Sequence, residues 1–469
     1  MFNLALETLL ILIGLFSAGH ALLYKRDPRA ALGWVALCLL FPGVGALLYW
    51  AFGVNRIRTR ARSWRRRRNW GRDFGAGRSP QTALPLFLEE KVSAIRKVSD
   101  HVTDRPLVGG NRIAVLHNGE EAYPAMLEAI GSARRSVYLS TYIFGADPTG
   151  KRFIEALAAA TARGADVRVL VDGLGELYSF PAAPRLLKKK GVRVARFLPL
   201  SRGLRLNLRN HRKLLVIDSS AGFTGGMNIG DRHLAAVPAN PRRVVDLHFR
   251  VDGPVAAQME ETFLEDWRFV TGETGAPPQA PLSSPGGGAF CRGVSDGPND
   301  DFEKLRWIIL GALSAAQSRV RVMTPYFIPD RALLSAFNTA ALRGVLVEII
   351  LPERNNLPYV AWAAQALLWE LLSHGVQVYY QPPPFVHSKL LLVDGVYTLV
   401  GSSNLDPRSL RLNFEFNLEI YDPDIAATLA DHFDAVRKRS RRITLAEMDG
   451  RPLPIKLRDG AAKLFSPYL

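Results

Sequence analysis

Two short segments of the chain carry the same residues at the same spacing, and those residue types can act on phosphate esters. The first segment begins at His211 and the second at His387. In each copy a lysine follows the histidine by two positions, an aspartate by seven, a glycine by fourteen and an asparagine by seventeen. The repeated residues are His211, Lys213, Asp218, Gly225 and Asn228, and His387, Lys389, Asp394, Gly401 and Asn404. Two copies in equal register argue against a chance match.

These residue types suit chemistry on a phosphodiester. Lysine and asparagine donate hydrogen bonds to non-bridging oxygens. One histidine can attack phosphorus, while the other protonates the leaving alkoxide and then deprotonates the incoming alcohol. Covalent catalysis by histidine needs no metal, and the sequence has no carboxylate cluster of the two-metal type, so we expect neither metal nor cofactor. The predicted catalytic residues are His211, Lys213, Asp218, His387, Lys389 and Asp394, and the predicted phosphate ligands are Asn228 and Asn404.

The spacing within each copy also predicts how these side chains are positioned. Four apolar residues separate the lysine from the aspartate, which is typical of a buried strand. Residues i and i+2 of a strand share a face, so the histidine and the lysine project to the same side. A second apolar run returns the chain, and its glycine-rich end permits close approach of a ligand. Two such units that face each other would form one pocket.

The elements around the motifs repeat as well. Each half reads as a strand, a helix that an Arg-Gly pair ends, and a second strand. The strands are predicted at 136–142, 167–171, 320–324 and 347–351, and the helices at 151–163 and 332–343. Such alternation indicates an α/β fold in which helices pack on a sheet. The predicted domains are two transmembrane helices at 1–55, a basic linker at 56–105, a first half at 106–275, a Gly/Pro-rich linker at 276–300 and a second half at 301–469.

Two apolar runs, 4–23 and 30–53, open the chain. Each is about 20 residues long, enough to span a bilayer as a helix. A signal peptide fits poorly because no basic residue precedes the first run and a second run follows at once. A buried helical hairpin is the other alternative. Nine arginines between Arg56 and Arg72 follow, and such a flank stays in the cytoplasm. We therefore expect a multi-pass protein of the cell inner membrane with a cytoplasmic catalytic part.

The formal net charge of +17 implies an anionic partner, either nucleic acid or anionic lipid. The two predicted spans favour lipid and a membrane over nucleic acid. Cys38 and Cys291 form neither a disulfide framework nor a zinc site. Four arginines flank the first motif, and they either guide anionic head groups or belong to a solvated loop. They are Arg202, Arg205, Arg209 and Arg212.

The paired motifs resemble the HKD motifs of the phospholipase D superfamily, from about Asn111 to the C-terminus. That resemblance implies two similar phospholipase D-like α/β halves that share one active site, and a phosphohistidine intermediate. It matches Asp246 and Glu415 to the acidic residues that orient the catalytic histidines, and it favours His211 as the nucleophile. It also implies that the two motif aspartates support the site rather than touch the phosphate.

Finer features are similar to the cardiolipin synthases of that superfamily. They are Asn210-His211-Arg212-Lys213, the segment 324–330, and the segment 401–409 that leads to Asn413-Phe414-Glu415. Such an enzyme joins two phosphatidylglycerol molecules into cardiolipin and glycerol, and some relatives use phosphatidylethanolamine as one substrate. The chain departs from the family pattern in the Pro-rich segment 381–385, in Val245 where a tryptophan is frequent, and in the apolar stretch 357–372. These departures bear on donor and acceptor preference.

Two other functions remain open. One is a phospholipase D-type phosphodiesterase, either a phospholipase or a nuclease, that uses water as the acceptor. The other is a non-catalytic membrane adaptor with a degenerate repeat. The predicted spans argue against a nuclease, and the intact His, Lys, Asp and Asn residues in both copies argue against an adaptor. The acceptor, lipid or water, distinguishes the transferase from the hydrolase.

Overall fold

The computed structural model describes residues 2–25, 28–54, 82–199, 208–273, 286–298 and 301–466. It divides into two units, Met1–Asn69 and Trp70–Leu469. The predicted arginine-rich flank from Arg56 to Arg72 lies outside the described residues, as do Arg202 and Arg205.

The N-terminal unit is helical. Helix α1 (Phe2–Tyr24) contains, over Leu4–Tyr24, the one stretch among the described residues that is long and apolar enough to cross a membrane. The second predicted span is divided into α2 (Pro28–Leu40), α3 (Pro42–Leu48) and a π-helical turn at Tyr49–Gly53. Pro42 explains the division because it has no N–H to extend the hydrogen-bond ladder of α2.

Two polar contacts join the end of this segment to α1. The indole of Trp50 donates a hydrogen bond to Ser17 Oγ (2.9 Å), and the Tyr49 hydroxyl lies 2.7 Å from His20 Nδ1. The second run therefore folds back alongside the first, as the two halves of a hairpin do.

The first described helix of the larger unit is α4 (Leu86–Val102), and two similar halves follow. The strands of the first half are β1 (Val108–His117), β2 (Ser136–Thr141), β3 (Asp166–Asp172), β4 (Arg193–Phe197), β5 (Leu214–Ile217), β6 (Ala221–Gly225), β7 (Val244–Val245) and β8 (Leu247–Asp252). Its helices are α5 (Asn118–Ser132), α6 (Pro148–Ala162), α7 (Ala183–Lys189) and α8 (Val255–Thr271), with 3₁₀ turns at Gly175–Tyr178 and Asp231–His233.

The second half has a similar order of elements, but its short strand β13 comes before β14, and β17, α14 and α15 are added at its end. Its strands are β9 (Ala289–Asp296), β10 (Arg319–Met323), β11 (Leu346–Pro352), β12 (Gln377–Gln381), β13 (Phe385–Val386), β14 (Leu390–Val393), β15 (Tyr397–Gly401), β16 (Glu415–Tyr421) and β17 (Arg441–Ile443). Its helices are α9 (Lys304–Ala315), α10 (Arg331–Leu342), α11 (Pro358–Ser373), α12 (Pro407–Arg411), α13 (Pro423–Lys438), α14 (Leu445–Asp449) and α15 (Leu453–Leu464).

One continuous sheet joins the two halves in the part of the chain that the structure describes. The first half contributes the order β8-β6-β5-β2-β3-β4, and the second contributes the equivalent order β16-β15-β14-β10-β11-β12, with β17 at its edge. Between them, β1 and β9 pair antiparallel. The remaining strands, β7 and β13, pair with each other, so that each half contributes one strand to this small sheet. The predicted α/β fold of two similar halves is confirmed.

Helices cover both faces of the sheet because its central strands are apolar on both sides. On β5, Leu215 and Ile217 join the core formed with α5 and α6. The alternate residues Leu214 and Val216 pack instead against Met259 of α8. The four apolar residues between Lys213 and Asp218 are therefore a buried strand, as their run predicts.

Two elements occupy segments that the sequence predicts as linkers. Strand β9 lies within 276–300, where buried Cys291 and Val294 fix it between β1 and β16. Helix α4 lies within 56–105, and it buries Leu88, Val92 and Ile95 in the core of the second half. Neither element was predicted from the local composition, because contacts with distant parts of the chain determine both of them.

Candidate active site

The histidines and lysines of the two motifs lie where β5 and β14 begin. Each lysine directly precedes its strand, and its ammonium turns back toward the histidine. Lys213 Nζ donates to the carbonyl oxygen of His211 (2.7 Å), and Lys389 Nζ donates to that of His387 (2.6 Å). Each motif thus presents an imidazole and an ammonium at the same end of one strand.

Each histidine contacts a carboxylate that the opposite half provides. His211 Nδ1 lies 3.0 Å from Glu415 Oε2, and His387 Nδ1 lies 2.9 Å from Asp246 Oδ2. The backbone reinforces this crossing, since the amide of His211 donates to the carbonyl of Phe414 (2.9 Å). The amide of His387 donates likewise to the carbonyl of Val245 (2.8 Å). The motifs therefore belong to one site, and neither half contains that site alone.

The two carboxylates are held differently. Glu415 also accepts hydrogen bonds from Ser402 Oγ and from Asn413 Nδ2 (3.1 Å). At the position equivalent to Ser402, the first half has Gly226. A Cβ at Gly226 would lie 2.4 Å from Asp246 Oδ2, so the missing side chain makes room for the shorter carboxylate.

Burial dominates the protonation equilibria of the site. It lowers the pKa of Lys213 to about 7 and that of Lys389 to about 8. Burial also lowers the pKa of both histidines, with Lys213 adding to the effect at His211 and Lys389 adding to it at His387. Lys389 of the second half also lowers the pKa of His211, and Lys213 and His211 of the first half lower that of His387, as expected for groups that meet at one interface.

The pKa values of the two carboxylates shift in opposite directions. Burial raises the pKa of Asp246, although Lys389 opposes this. At Glu415 burial also acts upward, but His211 and Lys213 outweigh it and hold the pKa below its ordinary value. An ionised Glu415 accepts a proton-bearing Nδ1, which leaves the Nε2 lone pair of His211 available to a ligand.

The structure adds two tyrosines that the sequence interpretation did not assign to the site. The Tyr142 ring meets His211 edge-on at 5.5 Å, and the Tyr326 ring meets His387 at 6.4 Å. Lys213 Nζ lies 5.8 Å from the centre of the Tyr142 ring. Tyr142 comes just after β2, and Tyr326 comes just after the equivalent strand β10. This repeated position is the sequence pattern that could have predicted them.

Arg212 fits neither of its two predicted roles, because it is fully buried rather than solvated or exposed to head groups. Its Nη1 donates to Asp266 (2.6 Å), and its Nε donates to the carbonyl of Glu415 (3.0 Å). Asn210 Nδ2 also donates to Asp266 (3.2 Å). This buried ion pair holds the backbone at Glu415 and next to His211, and no sequence pattern pointed to Asp266.

The two motif asparagines have different surroundings. Asn228 Oδ1 accepts from the amide of Ile143 (3.0 Å), so its Nδ2 is the group left to donate to a ligand. Asn404 Nδ2 instead donates to Ser409 Oγ (3.1 Å), and its buried Oδ1 has no partner among the described residues. In this arrangement Asn228 fits the predicted role of phosphate donor better than Asn404 does.

The motif aspartates lie at the far ends of β5 and β14. Asp218 accepts three backbone hydrogen bonds from residues 134–136 at 2.7–2.9 Å. Asp394 accepts three from residues 317–319 at 2.8–2.9 Å. The structure does not bring either carboxylate to the histidines, and each one anchors the segment that enters the neighbouring strand, β2 or β10. Among the described residues, no group of three or more His, Cys, Asp or Glu side chains is placed to hold a metal ion.

Comparison with known families agrees with this geometry. The model described as "Cardiolipin synthase, PLD-like domain" matches residues 126–267 and 309–437, one range in each half. A model described as "Phospholipase D-nuclease N-terminal" matches residues 9–53. The chain belongs to the cardiolipin synthase family of phospholipase D-like proteins. The predicted family, and with it the phosphatidyltransferase class within the phospholipase D superfamily, is confirmed.

Relatives in this family match over nearly their whole length. The major cardiolipin synthase of Bacillus subtilis is 31% identical over 95% of this chain and 95% of its own length. Cardiolipin synthase A of Pseudomonas syringae is 33% identical over 98% of this chain and 96% of its own. Among solved structures, phosphatidylserine synthase from Haemophilus influenzae is similar in fold, with a TM-score of 0.63 over 80% of this chain, 100% of that one and 17% identity.

The hydrogen bonds of Asp218 predict a structural phenotype. Asp218→Asn weakens three buried charge-assisted bonds, which we expect to lower the free energy of unfolding by about 3 kcal/mol. Turnover by the folded fraction should remain, because this carboxylate lies away from the histidines. Thermal unfolding and activity of the variant, beside exposed Asp449→Asn as the matched control, test this. A fully stable but inactive Asp218→Asn would place the aspartate in the catalytic machinery instead.

The lysine pKa values predict an alkaline loss of activity. The ammonium groups bind phosphate only when charged, so kcat/KM should fall from about pH 7 upward as Lys213 and then Lys389 are deprotonated. A pH profile at constant ionic strength measures this. Lys213→Arg, which stays charged, should move the alkaline limb upward even if its maximum is lower. A flat profile to about pH 10 would contradict the assignment.

Proposed function

We propose that the chain is a membrane-anchored cardiolipin synthase that transfers a phosphatidyl group from one phosphatidylglycerol to another, giving cardiolipin and glycerol through a phosphohistidine. The observation that carries the proposal is the crossed pair of histidines, each with a carboxylate of the opposite half, beside two buried lysines. The family and its relatives support the same reaction. The proposal includes phosphatidylethanolamine as a second substrate class.

In the first step, His211 Nε2 attacks the phosphorus of one phosphatidylglycerol. The bond from phosphorus to the head-group glycerol oxygen breaks, and His387 donates its Nε2 proton to that oxygen. Lys213, Lys389 and Asn228 stabilise the charge on the non-bridging oxygens. Glycerol leaves, and the phosphatidyl group remains bonded to His211.

In the second step, a hydroxyl of the next phosphatidylglycerol gives its proton to His387 Nε2. Its oxygen attacks phosphorus, and the phosphorus–nitrogen bond breaks with its electron pair returning to His211. The products are cardiolipin and the original enzyme. No metal or organic cofactor takes part in these steps.

The difference between the two imidazoles supports this division of roles. The Nδ1 of His211 lies 3.0 Å from the ionised carboxylate of Glu415, which suits a neutral nucleophile. The Nδ1 of His387 lies near both Asp246 (2.9 Å) and Lys389 Nζ (3.0 Å). Lys389 and burial disfavour the imidazolium there, and a bound phosphodiester adds the negative charge that offsets them. His387 therefore becomes a proton donor when substrate is present.

Membrane attachment is part of the proposal. Helix α1 is long enough to span a bilayer, and the contacts of Trp50 and Tyr49 with α1 support a second span that returns beside it. We place the protein in the cell inner membrane with the catalytic part in the cytoplasm. The proposed domains are 1–55 for the spans, 56–105 for a basic linker, 106–275 and 301–469 for the halves, and 276–300 for a connection that contributes β9.

Product analysis tests the reaction. The full chain is reconstituted in phosphatidylglycerol vesicles without added divalent metal, and lipids are followed by mass spectrometry. We expect cardiolipin and glycerol from the wild type and a loss of at least 1,000-fold from His211→Ala and from His387→Ala, because removing a nucleophile or an acid–base group costs about that much. Phosphatidic acid without cardiolipin would make the chain a water-using phosphodiesterase. No lipid product at all would support the adaptor.

A phosphatidyl ester of p-nitrophenol tests which histidine attacks. This leaving group departs without protonation, so His387→Ala should release about one nitrophenolate per enzyme and then stall, because the second step lacks its base. His211→Ala should show no burst. Stopped-flow absorbance measures both, with Asp449→Asn as a control that should turn over normally. A burst from His211→Ala and none from His387→Ala would reverse the assignment.

A further inference from the structure

An exposed apolar loop lies beside the proposed catalytic pocket. It follows β3, and we call its four exposed apolar residues, Leu177, Tyr178, Phe180 and Pro181, the lip. Leu177 is 67% exposed and Phe180 is 95% exposed, although both are side chains that water disfavours. A loop of this kind gains nothing from its apolar residues unless a partner covers them.

The base of this loop is firmly held. Asp172, the last residue of β3, accepts hydrogen bonds from the amides of Leu174 (2.9 Å) and Gly175 (3.2 Å). Glu176 forms a two-bond ion pair with Arg196 of β4, one bond of which is 2.7 Å long. The apolar tip is therefore presented outward from a fixed base rather than left to collapse on the protein.

The same contacts connect the lip to the catalytic histidine. The second carboxylate oxygen of Asp172 accepts from the amide of Asn210, the residue before His211 (2.8 Å). The Tyr178 ring lies 6.3 Å from Tyr142, whose own ring lies 5.5 Å from His211. One aromatic ring thus separates the lip from the proposed nucleophile.

The second half contributes to the same rim. The Tyr326 hydroxyl, beside His387, donates to Asn356 Oδ1 (2.8 Å), and the half-exposed Tyr359 begins α11 just beyond. Burial raises the pKa of Tyr326, and Tyr359 and Tyr178 add to that effect. Tyr178 of the lip and Tyr359 of α11 therefore both lie within electrostatic range of Tyr326, whose ring contacts His387.

Positive charge accompanies this apolar rim. Arg209, which precedes the first motif, and Arg408 of α12 both act on the Tyr142 hydroxyl, so the two cations come from different halves to one place. Burial and the proximity of Arg408 lower the pKa of Arg209, and an anion bound there would relieve this repulsion. Arg209 is itself buried, so these cations favour an anionic phosphate that enters beside Tyr142, while the exposed apolar lip matches the interior of the bilayer that carries it.

We propose that the lip, Leu177, Tyr178, Phe180 and Pro181, docks the catalytic unit on an anionic bilayer at the mouth of the pocket. Insertion of the lip lets a phosphatidylglycerol head group reach His211 while its acyl chains stay in the membrane. The proposal rests on the proposed lipid transferase and adds to it the surface through which the substrate arrives. It is separate from the proposed attachment of the chain by the N-terminal helices.

A fluorescent probe tests the contact directly. Both native cysteines are buried, so Phe180→Cys offers the exposed thiol for an environment-sensitive fluorophore, and the wild type serves as the labelling blank. Leu342→Cys is the matched control, because Leu342 is 70% exposed and lies at the end of α10 that leads into β11, the opposite end of the parallel strands from the lip. In phosphatidylglycerol vesicles, the probe at 180 should shift to the blue and be quenched by lipids carrying a spin label on the acyl chain. The emission of the probe at 342 should stay at the wavelength seen in water, and the spin-labelled lipids should not quench it.

Kinetics separates docking from chemistry. On bilayer phosphatidylglycerol, the double variant Leu177→Ser and Phe180→Ser should lose about tenfold in kcat/KM, whereas Leu342→Ser should lose less than about twofold. On short-chain phosphatidylglycerol below its micelle concentration, the double variant should stay within about twofold of the wild type.

The outcomes are distinct. Equal losses on both substrates, or a probe at 180 that reports water, would overturn the docking proposal. Concentration-dependent quenching between labelled chains without lipid contact would also overturn it, since the occupant would then be a second copy. A wild type that makes no cardiolipin would instead overturn the proposed reaction, and the probe result would still decide the docking.

Discussion

The structure depends on one constraint: the imidazole of each motif is oriented by a carboxylate that the opposite half supplies. Glu415 and Asp246 are fully buried, and a buried carboxylate is costly unless a hydrogen-bonding cation or donor accompanies it. The partners exist only when the halves are closed on each other. The antiparallel seam of β1 with β9, the small sheet of β7 with β13, and the Arg212–Asp266 ion pair all maintain that closure. Assembly of the fold and assembly of the site are therefore the same event.

The two halves share one framework but differ in individual residues, so the two histidines have different surroundings. The repeat places both imidazoles identically relative to their strands, but Ser402 faces Glu415 where Gly226 faces Asp246. One imidazole then meets an ionised carboxylate, and the other meets a carboxylate of raised pKa together with a lysine. Environments that move the pKa values of paired groups apart are the usual way in which a protein assigns acid and base roles. The asymmetry of the two imidazole environments thus supports the proposed division of roles, whereas their symmetry follows from the repeated fold.

Local patterns predicted much of this, and distant contacts account for what they missed. Spacing alone predicts that His211 and Lys213 share one face of a strand, and the repeat predicts the two halves. The pairing of His211 with Glu415 spans 204 residues, so no local pattern could reveal it. Asp218 has the residue type of a catalytic acid, yet its three backbone partners make it a structural anchor. Strand β9 lies in a Gly/Pro-rich segment, where only its neighbours β1 and β16 make it a strand.

Transfer to a lipid rather than to water requires that the phosphohistidine outlast the departure of the first alcohol. The side chains of His211 and His387 are only 14% and 11% exposed, so little water reaches the proposed nucleophile or its acid–base partner. A closed pocket of that kind must receive its acceptor from the side where lipids are concentrated. The lysines also favour a phospholipid acceptor. Burial lowers their pKa values toward neutrality, so an arriving phosphate anion stabilises their charged form. The low exposure of the two histidines, the positive charge and the apolar rim together support a second phospholipid as the proposed acceptor.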